Sequence, residues 1–203
     1  MLKPCAALSS AVTIDSITCA KQKIRAIIAR SRVPEDPRHA DNTLEWLLKL
    51  DPQADQSMQI AALAHDIDRA VEAQKVRRKD FGDYETFKTA HAISSRIILR
   101  KILNECGVKR DVADEACRLV VHHETGGDSR SDLLKDVDSI SFFDVNLPLY
   151  YMRESPDETR RRCVWGYQRL SGRMKKVAEG MTYEDEKLTL LLNKAIREAC
   201  RKD

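Results

Sequence analysis

Breakers are scarce in this chain, and where they fall limits what it can fold into. Seven glycines and six prolines are spread over 203 residues, and aromatic residues make up only 5%. The tight turns and aromatic-rich strands of an all-β protein cannot be assembled from so few. Between the breakers, apolar residues recur at helical spacing, so the expected class is all-α. With 42% hydrophobic against 33% charged residues the chain can bury a core. No run approaches the roughly 18 apolar residues of a membrane span.

Reading along the chain, Ile17 to Arg30 forms a first helix, stopped by Pro34-Glu35-Asp36-Pro37, since two prolines cannot sit inside a helix. Arg38 to Leu50 forms a second, ended by Asp51-Pro52. A third starts at Ser57 as N-cap and runs through Ile60 and Leu63 into His65 and Asp66. Past Gly82, a long helix covers about Tyr84 to Glu105. Val108 to His123 makes another, closed by Gly126-Gly127. Ser129 with Asp132 three residues on resembles a capping box that opens a helix bearing Leu133, Leu134, Val137 and Ile140. Two more follow, about Pro156 to Glu179 and Tyr183 to Lys202. The expected division is a loosely ordered arm over 1–16, a helical domain over 17–152, and a helical extension over 153–203 packed on it.

A formal charge of +3 is too small to make the whole surface a nucleic-acid footprint. Anion binding must therefore be local. One local candidate is Arg160-Arg161-Arg162 followed by Trp165 and Tyr167, since basic residues among aromatics can grip single-stranded nucleic acid or a phosphorylated partner. The commoner use of such a run is a solvated helix face with packed aromatics. Six cysteines without a CxxC pair suit free thiols in a reducing compartment. The first twenty residues carry serines, threonines and Asp15 where a signal peptide needs hydrocarbon. A cytoplasmic protein is the expectation, with no membrane partner.

All five histidines lie in the middle of the chain: His39, His65, His91 and the pair His122-His123. His39 shares a helix face with Thr43, Trp46, Leu47 and Leu50, so its ring points inward. His65 does the same above Ala61, and His91 has the small Ser94 and Ser95 beside it. One such histidine is commonly just a satisfied core residue. Several together need acceptors or a metal, because unpaired polar groups in a core are costly and imidazole is the commonest metal ligand. Asp66, Asp136 and Asp138 supply carboxylates nearby in sequence. Nitrogen and oxygen donors without cysteine suit Mn, Fe, Co, Ni or Zn.

These residues resemble the HD-domain superfamily of metal-dependent phosphohydrolases, whose ligand order is His, then His-Asp, then Asp, each from a different helix. The matching stretches are PRHADNTLEWL, IAALAHDIDRA and LLKDVDSISFF, and HAISSRIILRKILNECGVKRDVADEACRLVVHHETGG is similar to the family's central helix pair. The resemblance covers about residues 38 to 145 and implies an HD-like bundle with additional C-terminal helices. It also implies one metal held by His39, His65, Asp66 and Asp138. Asp66 would bridge to a second ion held by His91 and by His122 or His123. His123-Glu124 is similar to the HHE of the branch that cleaves cyclic dinucleotides, but ETGGDSRSD stands where that branch has Gly-Tyr-Pro. Such a substrate is not expected.

The implied activity is hydrolysis of a phosphate ester or anhydride of a nucleotide or other small phosphorylated molecule. One or two divalent ions lower the pKa of a bound water from 15.7 to roughly 7. Asp68 and Glu72, beyond the His-Asp pair, are candidates to protonate the leaving oxygen if the helix continues that far. Arg69 could make bidentate bonds to phosphate, and Lys75 and Arg78 belong to a basic rim that could steer an anion. Asp136 is a candidate to orient a ligand, as neighbouring carboxylates do. For each of Asp68, Glu72, Asp136 and the basic rim, an ordinary solvated face is the competing use. Two other classes share the ligand order: a di-iron oxygenase on the same fold, and a nucleotide-sensing module without turnover. The C-terminal helices could cap the site or form a homodimer contact, and composition leaves nucleic acid open as a partner.

Overall fold

The computed structural model describes residues 15–201. The expected arm over 1–16 lies almost wholly outside these residues. The described chain is all-α: helices α1 (Ser16–Ile28), α2 (Asp36–Leu50), α3 (Gln56–Ala64), α4 (Tyr84–Glu105), α5 (Arg110–His122), α6 (Ser129–Ser141), α7 (Leu147–Arg153), α8 (Pro156–Arg169), α9 (Gly172–Glu179) and α10 (Glu186–Ala199). Short 3-10 turns occupy Ile67–Ala70 and Arg78–Asp80, and a π-helical turn, Phe142–Asn146, joins α6 to α7. No described helix is long and apolar enough to cross a membrane.

The helix at the centre is α3. Ser57, Met58, Ile60, Ala61, Ala62, Leu63 and Ala64 are all buried, and it packs against α1, α2, α5 and α6. Only Gln56 and Gln59 give it a solvent side, and a helix this apolar elsewhere becomes core. Its small residues let four neighbours approach. Asp55 caps it, accepting from Met58 N at 3.0 Å, so the cap lies two residues ahead of the expected Ser57. It ends at Ala64, before the His-Asp pair, where Asp66 leaves helical geometry at φ −106°, ψ 16°. The helix therefore does not carry Asp68 and Glu72 forward as successive turns of one face.

Other boundaries follow local chemistry. Asp128, not Ser129, caps α6, accepting from Arg130 N and Ser131 N. The loop before it needs Gly126 and Gly127, whose φ values of 72° and 122° are open to glycine. The helix expected over Pro156 to Glu179 is two, because Leu170 and Ser171 are extended and Ser171 caps α9. Residues 142–153, read as no element, are helical.

Cys19 on α1 and Cys106 at the end of α4 form a disulfide, which corrects the expectation of free thiols for that pair. They are 87 residues apart, and only the packing of α1 on α4 brings them together. Cys117 and Cys163 remain buried free thiols and Cys200 an exposed one.

One apolar cluster runs from Ala20 on α1 to Ala199 on α10. The join between its halves is Phe143, fully buried in the π-helical turn, against Gly166 of α8. A Cβ at residue 166 would lie 3.1 and 3.3 Å from the ring, so the glycine is what lets α8 come this close. Phe143→Ala should destabilise the fold by about 3–5 kcal/mol, as expected for an aromatic-to-alanine change in a core. Urea denaturation measures this, and a change below about 1 kcal/mol would show that the α6–α8 join is not tightly packed.

Candidate metal centre

Four elements deliver imidazoles to one point. His39 lies on α2, His65 just after α3, His91 on α4 and His123 at the C-terminal end of α5. All four are buried. Asp66 follows α3, and Asp138 comes in from α6. His39, His65 and Asp138 form one group able to hold a metal ion, and Asp66, His91 and His123 form a second. Asp66 Oδ2 lies 3.9 Å from His39 Nε2 and 3.7 Å from His65 Nε2, while its Oδ1 lies 2.7 Å from His91 Nε2 and 3.9 Å from His123 Nε2. One carboxylate thus faces both groups.

Each ring is tied down at Nδ1, leaving Nε2 for the centre. His65 Nδ1 donates to Ala62 O at 3.0 Å and His123 Nδ1 to Val120 O at 2.7 Å, and a carbonyl can only accept. Ser141 Oγ lies 2.9 Å from His39 Nδ1 and donates its single proton to His39 O at 3.3 Å, so it accepts from Nδ1. His91 Nδ1 lies 2.7 Å from the carboxylate of Asp68. In neutral rings held this way every Nε2 is a bare lone pair. His39 Nε2 and His65 Nε2 stand 3.1 Å apart, each within 3.4 Å of Asp138 Oδ1. A proton or a cation must lie in that gap. His123 Nε2 is buried with no hydrogen-bond partner. A donor set of this kind fits divalent transition ions.

The electrostatics agree. Burial opposes ionisation of Asp66, but Arg69, His65 and His91 hold its carboxyl well below the ordinary range. Asp138 is half-buried, and its bonds to His39 and His65 likewise hold its carboxyl well below the ordinary range. Burial pulls the His123 pKa down, aided by His65 and His91. Burial pulls on His91 in the same sense, yet the flanking Asp66 and Asp68 overcome it and raise its pKa to about 10.

A sequence match settles kinship at this point: residues 13–191 match the family described as Domain of unknown function (DUF4202). The chain belongs to the DUF4202 family. No curated protein and no solved structure matches it.

Within this DUF4202 chain the other sequence candidates disperse. His122 is exposed while His123 turns inward. Asp68 is fully buried behind His91, bonded to Ser95 Oγ and Val76 N, where it orients a ring instead of meeting a leaving group. Glu72 is exposed and pairs with Lys75 and Arg77, because the chain turns away after Ala70. Lys75 is held in that surface pair, and Arg78 donates to Phe81 O at 2.6 Å. Neither lines the cleft. Asp136 accepts from Ser171 N at 2.8 Å and so anchors the start of α9, not a metal ligand. Arg69 does reach the centre, with Nη1 2.7 Å from Asp66 Oδ2.

Beside the two groups a cleft opens, with His39, Asp66, Arg69, Glu124 and Asp138 at its floor. Its far wall is α8: Arg162, Trp165, Gly166 and Arg169, with Phe142 and Asn146 from the π-helical turn. Arg169 bonds Glu124 and lies 3.4 Å from Asp138 Oδ2. This wall was legible only as the spacing 162, 165, 166 and 169, one face of a helix. Arg160 and Arg161 point elsewhere, to Glu198 and Glu158.

Two outcomes follow from the ring geometry. His123→Ala should remove one of two bound ions while His122→Ala retains both, as read by metal stoichiometry on the purified variants; equal loss from both would refute the assignment. The second concerns protons. His91 has a pKa raised from 6.5 to about 10, so the stability its proton contributes to metal-free protein is complete below about 6.5 and is lost as pH rises through about 10. Metal needs the bare Nε2, so uptake at pH 7 should release at least one proton, and affinity should climb up to roughly tenfold per pH unit. Calorimetry in buffers of different ionisation enthalpy counts the protons, and a count of zero contradicts the proposed ligation.

Proposed function

We propose that this DUF4202 protein is a metal-dependent phosphohydrolase, cleaving a phosphate ester or anhydride of a nucleotide or other small phosphorylated molecule. The reading rests on one observation: four buried imidazoles and two carboxylates converge, and His39, Asp66 and Asp138 among them line a cleft that also presents three guanidiniums. His39, His65 and Asp138 would hold one ion, His91 and His123 another, with Asp66 shared. Bound there, divalent ions activate water near neutral pH and neutralise phosphate oxygens.

The chain's own side chains do the rest. Arg69 and Arg169 flank the ligands on opposite sides, through Asp66 and Asp138. Their N–H donors offer bidentate bonds to a phosphoryl group as its charge grows. Asp68 and the backbone carbonyls of Ala62 and Val120 keep the rings from rotating, so the ligands need little rearrangement to bind. The HD-type resemblance leads to the same reaction. Three arginines around the cleft favour an anionic substrate, which supports hydrolysis over a di-iron oxygenase on the same ligand order.

The test is phosphate release from a panel of nucleotides and sugar phosphates with Mn, Co, Ni, Fe and Mg in turn. Asp66→Ala should lower the rate by more than about 100-fold, beyond the usual cost of losing a supporting residue. A variant as active as wild type would overturn the assignment, and oxygen consumption without phosphate release would transfer it to the oxygenase.

A further inference from the structure

The three guanidiniums of the cleft are not equally committed. Arg69 pairs with Asp66 at 2.7 Å and lies 3.8 Å from Asp36. Arg169 bonds Glu124 and reaches Asp138. Arg162 has no ion-pair partner among the described residues. Its Nη1 donates to Tyr84 Oη at 3.1 Å, and its guanidinium lies 4.4 Å from the Trp165 ring centre and 5.2 Å from that of Phe142.

Aromatic contacts grip a guanidinium without satisfying its N–H donors, which lie in its plane. Arg162 is thus a half-buried cation, held in place, with donors still available. Its location is set by a shared neighbour: Arg169 stands 4.7 Å from the same Trp165 ring centre. Running outward from the metal ligands, the order is Asp138, Arg169, Trp165, Arg162. On the same wall Asn146 Oδ1 is buried with no hydrogen-bond partner.

We propose that Arg162 receives a second phosphoryl group, so that the substrate class is a compound carrying at least two phosphoryl groups, one at the metal ligands and one against α8. This deepens the phosphohydrolase reading and rests on it. A monophosphate would engage Arg69 and Arg169 and leave Arg162 unused. Asn146 offers an acceptor to a hydroxyl or amino group on the organic part of such a molecule.

The measurement is calorimetric titration of the manganese-loaded full chain with inorganic phosphate and with inorganic pyrophosphate. Wild type should bind pyrophosphate at least about tenfold more tightly, the gain of roughly one charge-assisted contact. Arg162→Ala should bring that ratio near one, Arg162→Lys should recover part of it, and Arg161→Ala should leave it as in wild type. The proposal fails if wild type binds both anions alike, or if neither Arg162 variant changes the ratio. Phosphate release from the substrate panel separates the two readings. Release with an unchanged ratio removes the Arg162 assignment alone, and no release from any compound removes the hydrolase reading and this substrate class with it.

Discussion

A carboxylate drawn largely out of water in a helical core is tolerable only where cations meet it, and half-buried Asp66 is the group on which this centre depends. Taking an ion out of water costs several kcal/mol even after relaxation. Arg69 and His91 each approach it to 2.7 Å, and those bonds fix the chain's path after α3. Asp68, two residues on and fully buried, takes the other nitrogen of His91. The 3-10 turn is therefore pinned to α4 by two carboxylates and one ring. Loss of either cation would leave charge stranded in the core, so electrostatics and packing hold the same geometry.

The four rings show a common device with varied parts. A hydroxyl, two backbone carbonyls and a carboxylate fix the Nδ1 atoms of His39, His65, His123 and His91. The two carbonyls lie three residues before their histidines, at the ends of α3 and α5, where the last turn leaves carbonyls without a helical partner. A histidine placed one step past a helix thus satisfies an orphan carbonyl and turns its Nε2 away from it. Asp68 differs in being charged, and together with Asp66 it raises the pKa of His91 to about 10.

This logic also explains what the sequence could and could not tell. Helix class and most helix spans were legible, because Gly, Pro and apolar spacing are local signals. Five of the six centre residues could be singled out by number, and the sixth was one of the adjacent pair His122-His123. Choosing within that pair needs the end of α5, which lies within one residue of the turn that sends one ring in and one out. Asp68 and Glu72 were placed as helix-face acids because the spacing presumes a continuing helix, and the polar His-Asp pair stops it. The Cys19–Cys106 bond and the α8 wall depend on contacts between distant segments, and no local pattern encodes those. Arg162, Trp165, Gly166 and Arg169 do share a helical face, but the face has meaning only once α6 is beside it.

That dependence argues against treating the C-terminal helices as an accessory. The cleft floor comes from residues before 153, and its wall from α8. What joins them is Phe143 seated on Gly166, in the turn that also presents Phe142 and Asn146 to the cleft. Arg169 binds Glu124, which adjoins His123, and Asp138, which faces His39 and His65. A shift of α8 would therefore move both the outer guanidiniums and the carboxylates that meet the rings. The extension completes the cleft, and a chain cut at 152 would keep the histidines while losing two of the three guanidiniums that line it.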